Sequence, residues 1–429
     1  MDDLVRWKDR NDRKPLILLG ARQVGKTYIL KEFGRREYDN VAYINCDNNA
    51  LVRDLFTPDY NIGRILLTIG AITGVNIQPG KTLIIMDEVQ ELKRGLASLK
   101  YFCEDAPQYH VAVAGSLLGL TLHDGDSYPV GKVNTLNMYP MTFEEFLLAR
   151  NRKQMVDLLQ AQRWDFVKGL RTLYIQHLRE YYLVGGMPEA VDKFVQTNDA
   201  NLVREVQNEI LAAYEKDISK HAPAEQVMRI GQVWHSIPSQ LAKENRKFIY
   251  GVVKKGARAK DYELAIQWLL DAGLVYKVNR VTTLAMPLKI HEEISAFKLF
   301  MLDCGLLGAM SLTPPAMLLL PSTDNSGKGD FTENFVCSQM KSLSDLPVFY
   351  YSKDNSQLEL DFVVQADTAV CPVEVKAEEN LQSKSLKTTL SENPDMHGLR
   401  FSMSDYREEG RLTNVPLYGA RSFLKALKQ

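Results

Sequence analysis

The stretch Gly20-Ala21-Arg22-Gln23-Val24-Gly25-Lys26-Thr27 follows the apolar run 15–19 and precedes residues 28–33, which have a helical pattern. It is the pattern GxxxxGK[ST] in the context that this pattern requires, a buried strand that turns into a helix. Glycines let backbone N–H groups point at a bound phosphate, and the start of a helix adds partial positive charge. The stretch therefore predicts a nucleotide-binding loop.

Two side chains of this loop have predicted chemical roles. Lys26 would reach the β- and γ-phosphates of ATP, and the Thr27 hydroxyl would hold Mg²⁺. ATP and Mg²⁺ are therefore the predicted cofactors. The predicted nucleotide-binding residues are Gly20, Ala21, Arg22, Gln23, Val24, Gly25, Lys26, Thr27 and Tyr28.

The apolar run 82–86 ends in two acids, Asp87 and Glu88. Continuous apolar runs are typical of strands that are buried on both faces of a parallel sheet. Open α/β sheets bind their ligands beyond the carboxyl ends of the strands, which is where these acids fall. Asp87 is predicted to hold Mg²⁺ through water, and Glu88 to polarise the attacking water. An acid pair alone is often a solvated turn, but its place after the loop favours hydrolysis.

The next buried run, residues 110–115, is followed by Ser116. In the usual strand order this strand lies beside the strand that carries the acids. The Ser116 hydroxyl could then sense the γ-phosphate or orient water as a catalytic residue. It could equally cap the helix that follows, because serine is a preferred N-cap residue. Both interpretations stay open.

Composition excludes several classes of protein. A chain of 429 residues is too long for a single core. Its net charge of −1 excludes a generally basic nucleic-acid binder, so any such contact needs a local basic face. The five cysteines are scattered without a CxxC motif, which argues against a disulfide framework or a zinc site. No run approaches the ~20 apolar residues of a membrane span, and no signal peptide is visible, so we predict a cytoplasmic protein without membrane contact.

The middle of the chain is predominantly helical as far as residue 219. The turn 185–188, Gly-Gly-Met-Pro, is either a hinge or a plain interhelical turn. Residues 224–236, 240–243 and 259–270 then predict three helices, and 273–278 lead into a hairpin, which is the order of a winged helix. A basic cluster in this region suits phosphate contacts, although it could also be a solvated face. Its members are Lys243, Arg246, Lys247, Lys254, Lys255, Arg258 and Lys260.

Five motifs together resemble the prokaryotic AAA+-type P-loop ATPases of the archaeal-ATPase and STAND-related group. They are GARQVGKT (20–27), LIIMDEVQ (83–90), AGSLLG (114–119), YPMTFEEFL (139–147) and YYLVGGMPEAV (181–191). The resemblance implies an ATPase core, a helical lid, a winged helix and a C-terminal domain similar to the PD-(D/E)xK nuclease fold. Related chains tend to carry arginine where this chain has Lys132, which puts an arginine-finger role at that position in doubt.

The C-terminal region contains the acids and the lysine that such a nuclease needs. Metal-dependent phosphodiester cleavage uses carboxylates that converge on Mg²⁺ and a nearby lysine. Asp361 lies in one predicted strand, and Glu374 and Lys376 lie two apart in the next, so the latter two share a face. Glu333 on the preceding helix could supply a further oxygen. A surface strand with alternating charges, or a fold whose chemistry has lapsed, would give the same pattern.

These observations predict an α/β protein: a P-loop NTPase parallel sheet with helical lid, winged helix and C-terminal restriction-endonuclease-like domain. The predicted function is a Mg²⁺-dependent ATPase coupled to nucleic-acid binding or cleavage, with DNA favoured over RNA. The alternative is an ATP-driven regulatory switch or scaffold whose C-terminal domain is inactive and binds partners. Homo-oligomerisation stays open. The predicted segments are 1–149 (ATPase core), 150–221 (lid), 222–290 (winged helix), 291–329 (bridge and linker) and 330–429 (nuclease-like domain).

Overall fold

The structure is a computed structural model that describes residues 1–47, 49–115, 129–243, 245–319, 328–344, 346–354, 358–379 and 382–428. These residues form two units. The first contains Met1–Tyr139 and Asp271–Gly273, and the second contains Pro140–Leu270 and Leu274–Gln429. Ser116 and residues 320–327 of the predicted bridge and linker lie outside the described residues.

The described part of the first unit is built on a sheet of five parallel strands in the order β2-β3-β4-β1-β5. The predicted α/β fold with a parallel central sheet is confirmed. The strands are β1 (Leu16–Leu19), β2 (Asn40–Asn45), β3 (Thr82–Asp87), β4 (His110–Ala114) and β5 (Asn134–Asn137). The helices described in this unit are α1 (Asp2–Lys8), α2 (Lys26–Glu37), α3 (Ile62–Thr73) and α4 (Gly95–Asp105).

The apolar runs in this sheet are continuous because both faces of the sheet are buried. In β3, Leu83 and Ile85 pack into the core on one face, and Ile84 and Met86 pack into the core on the other. All six residues of β3 are buried. Successive side chains of a strand point to opposite faces, so two cores require an unbroken apolar run.

Strand β5 lies at the end of a polar stretch of sequence, residues 121–137, that has no strand pattern. It is an edge strand that pairs with β1, and its side chains alternate between half-buried and exposed. A polar edge strand of this kind lacks the apolar run that marks β1, β3 and β4. Its pairing nevertheless fixes the glycine loop, since Met138 N–H donates to the Leu19 carbonyl at 2.7 Å.

The second unit begins with a series of helices. In chain order the helices are α5 (Phe143–Ala149), α6 (Lys153–Gln160), α7 (Trp164–Gly169), α8 (Arg171–Val184), α9 (Pro188–Thr197), α10 (Ala200–His221), α11 (Val227–Leu241), α12 (Tyr250–Val253) and α13 (Ala259–Asp271). The prediction of separate helices at 224–236 and 240–243 is wrong, because α11 continues through Pro238 to Leu241. The short helix that follows is the single turn α12.

A mixed sheet of eight described strands forms the rest of the second unit, in the order β12-β13-β11-β10-β9-β8-β6-β7. Its strands are β6 (Val275–Val281), β7 (Glu292–Met301), β8 (Val348–Ser352), β9 (Glu359–Ala366), β10 (Ala369–Val375), β11 (Gly398–Ser402), β12 (Arg407–Glu409) and β13 (Leu412–Pro416). The remaining helices are α14 (Cys304–Met310), α15 (Pro315–Leu319), α16 (Lys328–Lys341), α17 (Lys384–Glu392) and α18 (Ala420–Leu427).

The hairpin of the predicted winged helix belongs to this larger sheet. Strands β6 and β7 pair antiparallel, and β6 also pairs parallel with β8 through Arg280↔Tyr350 and Val281↔Tyr351. Residues on both sides of the predicted bounds at 290 and 330 therefore share one sheet. The cause is a pairing between segments about 70 residues apart in the chain, which no local pattern reveals.

Among the described residues, no helix is long and apolar enough to cross a membrane.

The Gly-Gly-Met-Pro turn between α8 and α9 is a tightly packed corner. Gly185 has φ +74°, and a Cβ there would lie 2.1 Å from Asp303 Oδ1. A Cβ on Gly186 would lie 2.0 Å from the Met141 carbonyl oxygen. Gly186 also donates its N–H to Asp303 and accepts from Met141 N–H at 2.7 Å. These contacts favour the interhelical turn over the hinge.

Replacing Gly186 by alanine should lower the free energy of unfolding by about 3 kcal/mol, because the methyl group overlaps backbone that cannot yield easily. Urea denaturation measures the effect. Gly231 within α11 is the matched control, because a Cβ there would meet no atom within 4 Å. Gly231→Ala should be neutral or stabilising, since alanine is the better helix former. Equal stability of the Gly186→Ala chain and the wild type would contradict the rigid corner.

Candidate functional site

The glycine loop between β1 and α2 has the backbone geometry that a phosphate-binding turn needs. Gly20 has φ +147° and Gly25, which caps α2, has φ +96°. Gln23 also has a positive φ of +65°, which is uncommon for a residue with a Cβ. A Cβ at Gly20 would lie 2.3 Å from the Met138 carbonyl oxygen, so only glycine fits there. The loop is therefore held in a conformation that its glycines make accessible.

Lys26 is buried and its ammonium group is held by the loop itself. Its Nζ donates to the carbonyl oxygens of Gly20 at 2.9 Å and Ala21 at 2.8 Å. Burial lowers the pKa of Lys26 to about 8, while the charges of Glu88 and Asp87 act in the opposite direction. At neutral pH the ammonium group thus remains largely charged in a site with little water, where it interacts strongly with an anion.

The structure brings Thr27 and Asp87 into direct contact although they are 60 residues apart. Thr27 Oγ1 donates to Asp87 Oδ2 at 2.6 Å. Glu88 follows Asp87 in the left-handed region with φ +53°, and its Oε2 accepts from Gln90 Nε2 at 2.6 Å. Strained non-glycine residues of this kind cluster at functional sites. The glycine loop and the end of β3 therefore lie next to each other, joined by the contact between Thr27 and Asp87.

Tyr43 on β2 is a member of this site that the sequence did not reveal. Its hydroxyl donates to Asp87 Oδ2 at 3.3 Å, and the Lys31 ammonium lies 3.5 Å from the centre of its ring. Burial, together with the Asp87 charge, raises the pKa of Tyr43 to about 12, so it stays a donor at neutral pH. Only the pairing of β2 with β3 brings it near the acid.

Three other positions from the sequence analysis take no part in the described contacts of this site. Ser116 lies outside the described residues, so its two interpretations stay predictions. Lys132 pairs with Glu104 at 2.8 Å in a half-exposed ion pair. Tyr28 is part of the predicted loop, but its side chain is 73% exposed and forms no part of the core.

A second cluster lies in the second unit, where β9 and β10 pair as an antiparallel hairpin with Val373 opposite Phe362. Asp361 Oδ2 accepts the N–H of Val375 at 2.7 Å, so its carboxylate lies against β10. Glu374 Oε1 and Lys376 Nζ are 2.6 Å apart. The structure thus places these three predicted residues together.

Glu333 joins this cluster from helix α16. Its Oε1 lies 2.7 Å from Nη1 of Arg246, a residue between α11 and α12 that no sequence pattern links to the cluster. The second nitrogen, Arg246 Nη2, lies 3.3 Å from Asp330 Oδ1. A cavity of about 520 Å³ opens here, and its lining includes Arg246, Glu333, Asp361, Lys376, Glu378 and Gln382.

Two carboxyl groups of the cluster have pKa values above the usual range of a glutamate. Burial raises the pKa of Glu333 to about 8, and the neighbouring Asp361 charge adds to the shift. Burial and Asp361 likewise raise the pKa of Glu374 to about 7, although Lys376 opposes them. Glu374 Oε2 is buried and has no hydrogen-bond partner among the described atoms. Such raised pKa values are common at functional sites but also occur in buried structural networks.

In this conformation the acids are paired with protein cations. Within the described ranges, no three His, Cys, Asp or Glu side chains gather closely enough to hold a metal ion. The predicted three-carboxylate group of Glu333, Asp361 and Glu374 is therefore not assembled, because Arg246 holds Glu333 and Lys376 holds Glu374. The carboxylate oxygens have the right chemistry for Mg²⁺ or Mn²⁺, and the buried Oε2 of Glu374 could accept such an ion.

Replacing Glu374 by glutamine should flatten the pH dependence of stability. A carboxyl group whose pKa rises from 4.5 to about 7 on folding binds its proton more tightly in the folded chain. The free energy of unfolding therefore falls as pH rises from about 4.5 to about 7, by about 3 kcal/mol for this group. The Glu374→Gln chain should not show this decrease. Its free energy of unfolding relative to the wild type should therefore increase as pH rises over that range.

Urea denaturation of both chains at pH 5 and pH 8 measures this difference. Glu392 forms a half-exposed ion pair with Lys353, so Glu392→Gln is the matched control and should follow the wild type. Parallel curves for Glu374→Gln and the wild type would show that Glu374 does not keep its proton in the folded chain.

Comparison with known proteins gives family matches for three parts of the chain. Residues 12–147 match the family model described as an AAA domain. Residues 175–316 and 328–418 match two models described as domains of unknown function, DUF8612 and DUF4143. No curated protein matches the chain. The AAA match, over the region that holds Lys26, Thr27 and Asp87, supports a P-loop ATPase and implies nucleotide binding.

Solved structures with some similarity to this chain include the following three. The Walker-type ATPase paby2304 of Pyrococcus abyssi is 15% identical with a TM-score of 0.45, and 72% of this chain and 95% of that chain are covered. The ORC1 protein of Aeropyrum pernix in complex with DNA is 13% identical with a TM-score of 0.27, and 74% of this chain and 92% of that chain are covered. Cdc6p from Pyrobaculum aerophilum is 13% identical with a TM-score of 0.23, and 74% of this chain and 90% of that chain are covered.

Proposed function

We propose that the chain hydrolyses ATP with Mg²⁺ in its first unit and binds or cleaves nucleic acid, DNA rather than RNA, through its second. The observation that carries the ATPase proposal is the 2.6 Å contact between Thr27 and Asp87. It joins the glycine loop to the acid strand at the carboxyl edge of a parallel sheet, where open α/β sheets bind ligands. The AAA match covers the same residues.

Each residue of the first site has its own role in the proposed reaction. Lys26 exchanges its bonds to the Gly20 and Ala21 carbonyls for the β- and γ-phosphates, since a phosphate is the stronger partner for an ammonium group. Thr27 and Asp87 would hold Mg²⁺, which neutralises charge on the phosphates. Glu88 accepts a proton from the attacking water, and Gln90 orients its carboxylate. Tyr43 keeps the Asp87 carboxylate in place.

The basic cluster supports nucleic-acid binding by the second unit. Five of its seven members are exposed, as phosphate contacts require. They are Lys243, Lys254, Lys255, Arg258 and Lys260. We propose that α11 to α13 act as a winged-helix-like element that carries this face, in the region from 222 to 290.

The charge balance around the cavity of the second unit supports a divalent ion there. Among the described residues, five carboxyl groups interact with one another and with three cations, and the nearby Arg400 is already paired with Glu409. The acids are Asp330, Glu333, Glu359, Asp361 and Glu374, and the cations are Arg246, Lys298 and Lys376. A divalent ion bound there would replace the protons that Glu333 and Glu374 hold near neutral pH and would balance the negative charge that their loss leaves.

Within the proposed nuclease-like domain, the metal would be held by Asp361, Glu374 and Glu333. When bound, it would supply Lewis-acid activation of a phosphodiester. Lys376 is placed beside Glu374, where its ammonium could position the attacking water or the phosphate. We propose this set as the second site of the chain, with its protein ion pairs opened.

A regulatory switch is the second candidate function. The observation that favours it is the buried pair of Arg246 and Glu333. In this pair a protein cation already contacts the carboxylate that a metal would need. In that case ATP would set the conformation of the chain, and the second unit would bind partners without cleaving them.

ATP hydrolysis by the purified full chain, with and without DNA or RNA, tests the proposal. We expect hydrolysis that depends on Mg²⁺ and is stimulated by nucleic acid, DNA more than RNA. A parallel assay with Mn²⁺ follows cleavage of labelled DNA and RNA, with Asp361→Ala as the reference for the second site. Stimulation without cleavage supports binding alone. Hydrolysis that nucleic acid leaves unchanged, together with no cleavage, would favour the switch.

A further inference from the structure

Arg246 lies on a short segment that is firmly attached to the eight-stranded sheet. Its neighbour Lys247 forms an isolated antiparallel bridge with Lys298 on β7. Phe248 N–H donates to the Phe297 carbonyl at 2.8 Å, and the two rings stack at 5.1 Å. Arg246 itself has a positive φ of +51°. The segment therefore directs this side chain into the cavity from outside the strands that carry the acids.

The Arg246 guanidinium is buried and tightly packed against Glu333 and Gly329. Only 15% of its side chain is exposed, and the Glu333 side chain is 5% exposed. A Cβ at Gly329, in the first turn of α16, would lie 2.9 Å from Arg246 Nη2. Any other residue at Gly329 would push the guanidinium away from Glu333 and Asp330. Arg246 Nε is buried without a hydrogen-bond partner among the described atoms, so the charge is held by the two carboxylates.

We propose that Arg246 is a resident cation of this pocket, and that it competes with a divalent metal ion for the carboxylate of Glu333. This inference rests on the proposed metal site of the second unit. Glu333 Oε1 already contacts Arg246 Nη1 at 2.7 Å, so a metal on that oxygen competes with the guanidinium for the same negative charge. The two cations also repel each other strongly in a site with little water. Arg246 is thus a positioning residue that keeps the pocket closed to metal as long as its guanidinium stays on Glu333.

Metal occupancy would then depend on the segment between α11 and α12. A partner that draws Arg246 or Lys247 outward would free Glu333, and the metal could join it to Asp361. Because the segment belongs to the basic cluster, a polyanion such as nucleic acid is the partner whose chemistry fits. The pocket would accordingly gain its metal when nucleic acid is bound.

The test measures Mn²⁺ affinity of the full chain without nucleotide, by electron paramagnetic resonance of the free ion. Asp361→Asn defines the signal that belongs to this pocket. We expect Arg246→Met to lower the Mn²⁺ dissociation constant about tenfold, because one competing charge is removed. Gly329→Ala keeps every charge and only displaces the guanidinium, so it should lower the constant by a smaller factor. It also stays foldable, since alanine suits the helix that contains Gly329.

Arg280→Met is the matched control, because Arg280 is equally buried and pairs with Glu293 and Asp354 away from the cavity. It should leave the Mn²⁺ dissociation constant unchanged. If the wild type binds Mn²⁺ through Asp361 and both Arg246→Met and Gly329→Ala bind it no more tightly, the competition is refuted and the metal site survives. If neither the wild type nor any variant shows binding that depends on Asp361, the metal site and the competition both fail.

Discussion

Replacing Lys26 by alanine should weaken ATP binding by at least about 100-fold. The ammonium group is a charged donor in a buried site, and its loss leaves the β- and γ-phosphates without their main cation. The glycine loop itself should persist, since its conformation depends on Gly20, Gly25 and the pairing with β5. Titration with a fluorescent ATP analogue measures the dissociation constant.

Lys81 provides the matched control for this variant. It is an exposed lysine that precedes β3 at the end of the strand opposite the acids, so Lys81→Ala removes the same charge far from the loop. Its dissociation constant for ATP should equal that of the wild type. Comparable affinity in the Lys26→Ala chain would exclude this loop as the nucleotide site.

Replacing Glu88 by glutamine should lower kcat for ATP hydrolysis by about 100- to 1,000-fold and leave ATP affinity nearly unchanged. Glutamine keeps the shape of the side chain but cannot accept a proton from the attacking water. Binding survives because Lys26, Thr27 and Asp87 supply the phosphate and metal contacts. Steady-state phosphate release and equilibrium ATP binding, measured on the same preparation, separate the two effects.

Glu91 lies three residues further along and is exposed, so Glu91→Gln is the control and should hydrolyse ATP at the wild-type rate. A Glu88→Gln chain that retained full kcat would assign the proton transfer to another group. A joint loss of affinity and rate would instead show that Glu88 supports the fold of the site.

The first site could be predicted from the sequence because its parts follow local rules. The runs before Gly20 and through Met86 are continuous since both faces of the sheet are buried, and the functional residues come directly after them. Strand β5 could not be predicted in this way, because a polar edge strand looks like a loop. Tyr43 was missed for a related reason, since its contact with Asp87 exists only once β2 has paired with β3.

In the second unit, the period of two along β10 correctly placed Glu374 and Lys376 together. The hairpin with β9 then brought Asp361 to them, as expected for neighbouring strands. Local pattern failed where long-range packing decides the outcome. Helix α11 passes through Pro238 because Ile237 and Leu241 are buried, and tertiary packing overrides the proline. Arg246 reaches Glu333 across 87 positions of sequence, a distance at which spacing carries no information.

The pairing of β6 with β8 has a consequence for anyone who wishes to produce the C-terminal part of the chain alone. A fragment that starts at residue 330 would lose β6 and β7 and leave one edge of β8 with unpaired backbone N–H and C=O groups. Such open edges recruit other strands and promote aggregation. The same cut removes Lys298, which pairs with Glu359 at 2.9 Å inside the sheet. A fragment that begins before Val275 keeps both the covering strands and this buried cation.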